Sequence, residues 1–406
     1  MSVARRFAAF CAAVVLLTGC SAVSDGQDGR DGRDGRGAQD RGDLGPAAWD
    51  YDHTGQETNA SFLDIAAASA DDAWAVGKTP VTGWVDDQKT LLLHHDGKEW
   101  RPYDLPPALS SLDDFPSVRL DSCGPGDVWL FADDSGAVKH LPPFAAHWDG
   151  AEWRAVDLPE GFPGHVTSAV VLDRQDAWVA GDTAALWHWD GREWRVFRLP
   201  GRAWTAVAGT SGKDVWAVGR TTPADGYAQP ATAHWDGSGW STVKMPAMSP
   251  RRGEEALTRS LHDVFLLPGR EVLAIGRASS EGGDTDAVFE PLMLRWDGSR
   301  WREDEGRYEG SARWRTQDGG RCCVTHQAGT TLFLSPGRHV SPSGEEARIT
   351  MPPCLAGRPG RVGGDGCGQK LQLEDYAAVP GTQDVWGVGS VRGEDAVPVI
   401  VRLVRS

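Results

Sequence analysis

The chain has 406 residues and a formal charge of −16, with 19 Trp against 5 Tyr and 50 Gly. Such an acidic surplus is repelled by phosphate backbones and anionic headgroups, which excludes nucleic-acid binding and adsorption to lipid through charge. Beyond the first twenty residues no stretch is long and apolar enough to span a bilayer.

The N-terminus is read as a targeting segment over residues 1–19. Arg5 and Arg6 give a positive start, and Phe7 to Leu17 is an apolar run too short for a stable spanning helix. The run ends in Leu17-Thr18-Gly19-Cys20, which resembles the lipobox of bacterial lipoproteins. The resemblance implies cleavage before Cys20 and acylation of its thiol, and two or three acyl chains anchor stably where one is marginal. Losing Arg5 and Arg6 takes the charge to −18. Residues 20–46 are dominated by Asp, Gly and Arg with few apolar groups, so they are expected to form a disordered stalk. Its end-to-end reach is on the order of 30 Å.

From residue 47 onward one phrase recurs. It reads Trp148-Asp149-Gly150-Ala151-Glu152-Trp153, Trp189-Asp190-Gly191-Arg192-Glu193-Trp194, Trp235-Asp236-Gly237-Ser238-Gly239-Trp240 and Trp296-Asp297-Gly298-Ser299-Arg300-Trp301. A first copy, His95-Asp96-Gly97-Lys98-Glu99-Trp100, lacks only the first Trp. Upstream of most copies stands an alternating Asp-[Ala/Val]-Trp strand, with its Trp at 74, 129, 178, 216 and 386; Leu273 holds that place in the fifth unit. Each unit parses as four strands, the third and fourth joined at Asp-Gly, a strong hairpin signal whose turn residues are expected at positive φ. A degenerate sixth unit runs from Thr330 to Pro336, with Ile349 in place of the outer Trp. The seventh runs out after three strands, while Ala48-Trp49-Asp50-Tyr51-Asp52 matches a fourth strand without a unit.

Residues 47–406 resemble the β-propeller superfamily, in particular the tryptophan-rich repeats of exported actinobacterial proteins. The expected fold is therefore all-β: a seven-bladed propeller of four-stranded antiparallel blades, its N-terminal strand closing the last blade and removing the open edges. Six or eight blades stay open if the segment Tyr308 to Arg321 is miscounted. The Trp-Asp pair is similar to that of WD repeats without their Gly-His half. The Asp-Gly hairpin resembles the Asp-box of sialidase-like propellers without its spacing.

The recurring His95, His147, His188 and His234 and the recurring turn aspartates read as structural, because a residue that returns once per blade serves the blade. Cys322, Cys323, Cys354 and Cys367 fall on one face of the disc, and two disulfides among them fit an exported protein, with the pairing open. Cys123 is expected as a free thiol on the opposite face. A zinc site lacks the needed ligand spacing, and no metal or cofactor is expected.

No nucleophile elbow, zincin motif or phosphate loop occurs. The candidate ligand-binding residues lie in the long loops between second and third strands: Trp84, Asp86, Asp87, Asp133, Asp134, His140, Tyr227, Asp284 and Asp286. Aromatics and carboxylates on one rim suit a sugar, a peptide or a cationic partner. The expectation is a monomeric binding or scaffolding module, lipid-anchored on the outer face of a bacterial cytoplasmic membrane. It would present its loops to a protein or glycan of the cell envelope. The rivals are an envelope glycan hydrolase or lyase using loop carboxylates such as Asp86 or Asp284, and a structural spacer without a ligand.

Overall fold

A computed structural model describes residues 45–80, 88–134, 141–222, 226–246, 248, 257–280, 289–304, 326–329, 331–341, 345–355 and 368–405. The expected leader, the lipidation residue Cys20 and the expected stalk up to residue 44 lie outside these residues. Among the described residues no helix is long and apolar enough to cross a membrane.

Five four-stranded sheets follow one another along the chain, over residues 61–102, 117–156, 168–198, 202–243 and 257–303. In each, every strand pairs antiparallel with its sequence neighbour, the arrangement that short connections favour. The remaining strands form an eight-stranded sheet. It runs His326–Ala328, Thr331–Ser335, Arg338–Val340, Glu346–Thr350, Ala47–Thr54, Ala396–Arg405, Val385–Arg392, Lys370–Ala378. Its first four strands are a meander like the others, and the last three are a meander completed on the outside by Ala47–Thr54. That N-terminal strand pairs antiparallel with the C-terminal one, Ala47 opposite Arg405 and Thr54 opposite Val399. The orphan fourth strand read from Trp49 thus finds the unit that lacked one. At its start the same strand also pairs parallel with Glu346–Thr350, Ala47 opposite Ile349, which fuses two meanders into one sheet.

Apolar clusters sit between consecutive sheets and return to the starting point. Trp74, Leu130 and Trp153 join the first sheet to the second, and Trp129, Trp187 and Trp194 the second to the third. Trp178 and Trp235 join the third to the fourth, and Trp216 and Trp301 the fourth to the fifth. Leu273 and Leu332 join the fifth to the 326–350 meander, and Phe333, Trp49 and Tyr376 join that meander to the 370–405 one. Finally Trp386, Val388 and Ile400 pack against Phe62 and Trp100 of the first sheet. Sheets packed face to face in a closed cycle define a β-propeller.

The Asp-Gly connections start the fourth strand at the second Trp, as read, but they do not hold both turn residues at positive φ. His95 pairs with Trp100 and Trp148 with Trp153, so four residues lie between the strands. Only the glycines are at positive φ, 87° at Gly97 and 94° at Gly150. The aspartate works through its side chain instead: Asp149 Oδ1 accepts from the amides of Ala151 and Glu152, and Asp190 Oδ1 from those of Arg192 and Glu193.

A second glycine position answers to a bulge. The inner strands of four meanders slip register between Phe62 and Asp64, Trp204 and Ala206, Leu261 and Asp263, and Leu373 and Asp375. Opposite each slip stands Gly77, Gly219, Gly276 or Gly389, where an added Cβ would lie 1.9–2.4 Å from a backbone oxygen of the inner strand. The glycine ending the Asp-x-Trp strand is therefore set by close backbone approach.

Candidate functional site

The recurring polar residues are consumed by the blades. In the first sheet the recurring histidine is His94, not the expected His95: its Nε2 lies 2.9 Å from Asp72 Oδ1 and its ring stacks on Trp74 at 4.3 Å, while His95 takes the place of the missing first Trp against Trp100 and Trp386. The same Asp–His contact joins Asp127 to His147, Asp176 to His188 and Asp214 to His234 at 2.6–2.9 Å. In each the histidine is the cross-strand partner of the buried Trp. Burial raises the Asp72 carboxyl, but bonds from His94, the Gly126 amide and the Trp74 indole more than offset this and hold it below the usual value. In the fifth sheet Leu273 faces Arg295, which bonds Glu271 at 2.6 Å, so the pattern survives with other residues. In the 326–350 meander Phe333 faces His339, but Thr331 stands where the Asp would, and both His339 nitrogens are buried without a partner.

The predicted loop residues are divided. Asp133 is buried at 1% exposure; its carboxylate takes the His165 ring nitrogen and the Val166 amide, both at 2.9 Å. Asp134 is buried too, and accepts from the Leu141 amide at 3.2 Å. Both therefore brace loops. Tyr227 is 41% exposed, beside Ala228, whose carbonyl accepts from the Arg259 amide of the next sheet. Trp84, Asp86, Asp87, His140, Asp284 and Asp286 lie outside the described residues, as do Cys322, Cys323 and Cys367. Cys354 follows the outer strand of its meander, as expected. Cys123 is not the free thiol expected: its Sγ lies against the Leu172 carbonyl, and both it and Cys354 have further partners.

Sequence reasoning missed a different set, on the innermost strands. Asp375 accepts from the Ile65 amide at 3.2 Å, Asp64 from Leu120 at 3.1 Å, and Asp121 from Val171 at 2.6 Å. Ser168 Oγ exchanges bonds with Val207, and Thr205 donates to the Leu261 carbonyl at 2.6 Å. Each side chain leaves one sheet and grips the backbone of the next, so the inner strands are laced around the axis.

Three of these laces are titratable and mutually close. Burial raises the Asp64 carboxyl well above the usual range, and the charge of Asp375 adds to this, against the pull of Arg119 and the Leu120 amide. Burial pushes Asp121 up to about 7 despite the amides of Val171 and Ser122. It pushes Asp375 up to about 6, moderated by the Tyr376 and Ile65 amides, Arg119 and a hydrogen bond with Asp64. Arg119 itself is anchored on the Val166 carbonyl at 3.0 Å. The available signal was an Asp inside an otherwise apolar strand, as in Phe62-Leu63-Asp64-Ile65-Ala66. Among the described residues no group of three or more His, Cys, Asp or Glu is arranged to hold a metal ion.

No protein-family model matches the chain, and no curated protein does. Among solved structures, YCF48 bound to D1 peptide is similar at 15% identity, covering 90% of this chain and 98% of that one with a TM-score of 0.45. YCF48 from Cyanidioschyzon merolae is 14% identical over 72% of this chain and 95% of that one, TM-score 0.38. The WD40 β-propeller domain of Doa1 is 9% identical over 87% and 97%, TM-score 0.42. The pairing and packing of its own sheets make this chain an all-β protein of β-propeller architecture.

Proposed function

We propose that this protein is a seven-bladed propeller, tethered through a lipid on Cys20 and the 20–46 stalk outside a bacterial cytoplasmic membrane. It acts there as a monomeric binding or scaffolding module for a protein or glycan of the envelope. Five meanders, the 326–350 meander and the one completed by Ala47–Thr54 support the blade number. Cys322, Cys323, Cys354 and Cys367 would form two disulfides. The observation that carries the reading is the commitment of the repeated chemistry to architecture. The Asp–His pairs hold blades, Asp149 and Asp190 hold turns, and Asp64, Asp121 and Asp375 lace neighbouring sheets. Residues that break the repeat, such as Tyr227 and Trp84, are left to meet a ligand, with Asp86, Asp87, Asp284 and Asp286 beside them in sequence or in equivalent loops. Asp133, Asp134 and His140 would shape the same rim.

The test is a glycan-array and envelope pull-down screen with soluble protein starting at Gly45, beside a Trp84→Ala, Tyr227→Ala double variant. Binding lost in the folded variant supports recognition by the loops between second and third strands. Binding retained moves the site elsewhere, and no binding by either protein favours the spacer.

A second reading, an envelope glycan hydrolase or lyase, draws support from the raised carboxyls of Asp64, Asp121 and Asp375 near the axis, since a general acid needs a carboxyl that holds its proton. Release of reducing ends from envelope glycan, lost in Asp64→Asn and Asp375→Asn, would establish it.

A further inference from the structure

Four sheets place an aspartate carboxylate at one spot, two residues before the buried Trp and against the histidine across from it. At Asp72 the carboxylate also takes a donor from the next sheet, the Gly126 amide at 2.8 Å. The 326–350 meander keeps such donors and lacks the carboxylate. Its histidine is His339, the cross-strand partner of Phe333, and Thr331 stands two residues before Phe333. Arg405 reaches over from the last meander and donates to the Thr331 hydroxyl at 2.8 Å. Thr331 and His339 are both buried, and neither ring nitrogen of His339 has a partner. We propose that Thr331, His339 and Arg405 form a binding site for a small monovalent anion of chloride size, which stands where the other sheets hold a carboxylate.

Two substitutions make room for the ion. The Thr331 hydroxyl ends one bond short of the place an aspartate oxygen would reach. In the four sheets the histidine ring lies 4.1–4.9 Å from its Trp, whereas His339 stands 6.5 Å from Phe333. Phe333 stacks instead on Tyr376 of the last meander, at 4.3 Å.

The charge balance suits a single negative charge. Burial and the nearby Arg405 hold His339 below its ordinary value, so at neutral pH the imidazole is uncharged and donates one N–H. Arg405 brings one positive charge, and among the described residues its bond is to Thr331 and to no carboxylate. Glu346, on the outer strand of the same meander, is taken by Arg338. The Thr331 hydroxyl accepts from Arg405 and keeps its own hydrogen to donate. An ion here gains three donors, one of them charged, and gives the buried imidazole an acceptor. Arg405 is exposed, so the ion arrives from solvent beside the chain end. Because His339 and Arg405 belong to different meanders, the bound ion ties the two together at the junction that Trp49 also fills.

The experiment is urea unfolding of the purified full chain along a chloride titration, with sodium gluconate holding ionic strength, on wild type, Thr331→Asp and Arg405→Gln. Gluconate is too bulky for the space of one carboxylate, and general salt effects cancel between the proteins. The wild-type unfolding constant is expected to fall about tenfold as chloride rises from none to about ten times its half-saturating concentration. Thr331→Asp carries its own carboxylate and is expected to lose that response, while Arg405→Gln should need about tenfold more chloride. Equal chloride responses in wild type and Thr331→Asp overturn the site. If a variant fails to fold, wild-type crystals grown in sodium bromide decide. An anomalous peak within hydrogen-bond reach of Thr331, His339 and Arg405 supports the site, and a water or a void there overturns it. A bromide peak beside equal unfolding responses is an adventitious ion only, which also overturns it.

Discussion

Trp49 is where the N-terminal strand is fastened, and Trp49→Ala measures what ring closure contributes. The indole is 1% exposed, lies 5.9 Å from both Phe333 and Tyr376, and donates to the Pro336 carbonyl at 2.6 Å. It therefore ties the strand to both meanders of the fused sheet. Removing roughly 200 Å² of aromatic surface from burial forfeits about 5 kcal/mol at 25 cal/mol per Å². Measured truncations of buried aromatics span about 3–5 kcal/mol, and the stranded Pro336 carbonyl adds about 1 kcal/mol. The expected cost is about 4–6 kcal/mol, a large part of the roughly 5–15 kcal/mol that holds an ordinary domain. The assay is urea unfolding of residues 45–406 followed by near-ultraviolet dichroism, with Val196→Ala, at a 40% exposed outer-strand site, as control. The control should stay within about 0.5 kcal/mol of wild type. If Trp49→Ala also stays within about 1 kcal/mol with an unaltered urea slope, the N-terminal strand does not close the ring, and the reasoning fails.

Other outcomes follow from single contacts. Gly276→Ala puts a Cβ 1.9 Å from the Ser260 carbonyl oxygen and should cost about 3 kcal/mol by thermal unfolding, whereas Gly161→Ala, at φ 79° in open space, should cost only about 1 kcal/mol. Thr331→Asp gives His339 the acceptor its counterparts have, with Arg405 beside it, and should stabilise by about 1 kcal/mol in urea; a loss of that size would show that His339 belongs to a different pattern. Asp190→Ala removes the acceptor of two turn amides and should lower stability by about 1 kcal/mol in the same assay, with Arg195 also losing its 2.6 Å partner.

What the sequence disclosed was whatever repeats locally. The Asp-x-Trp strands, the four-strand units and the pairing of Trp49's strand with the chain end could be read because spacing carries them. The Asp-Gly connection was placed between the right strands but given the wrong backbone, because the dipeptide alone does not show that the aspartate holds the turn through its side chain and leaves positive φ to the glycine. The Leu273–Arg295 and Phe333–His339 pairs were legible only as degenerate positions, since their cross-strand partners are not neighbours in sequence. The inner laces were invisible for a stronger reason. Asp64 bonds a residue 56 positions away and Asp375 one 310 positions away, so no local window contains both partners. Of the loop residues, Asp133 looked available because polarity and loop position say nothing about an amide waiting in the next sheet.

The outermost strand of the last meander is the first piece of the fold to be synthesised, and the strand it covers is the last. Until Ala396–Arg405 has emerged, Ala47–Thr54 has no antiparallel partner, and the first sheet and the 326–350 meander wait beside an unfinished neighbour. Such a topology makes assembly depend on the Ala396–Arg405 strand: a nonsense codon at position 396 would take away the antiparallel partner of Ala47–Thr54 and leave Val385–Arg392 as a bare, apolar edge. Truncation at the C-terminus should therefore produce aggregation rather than a shorter propeller.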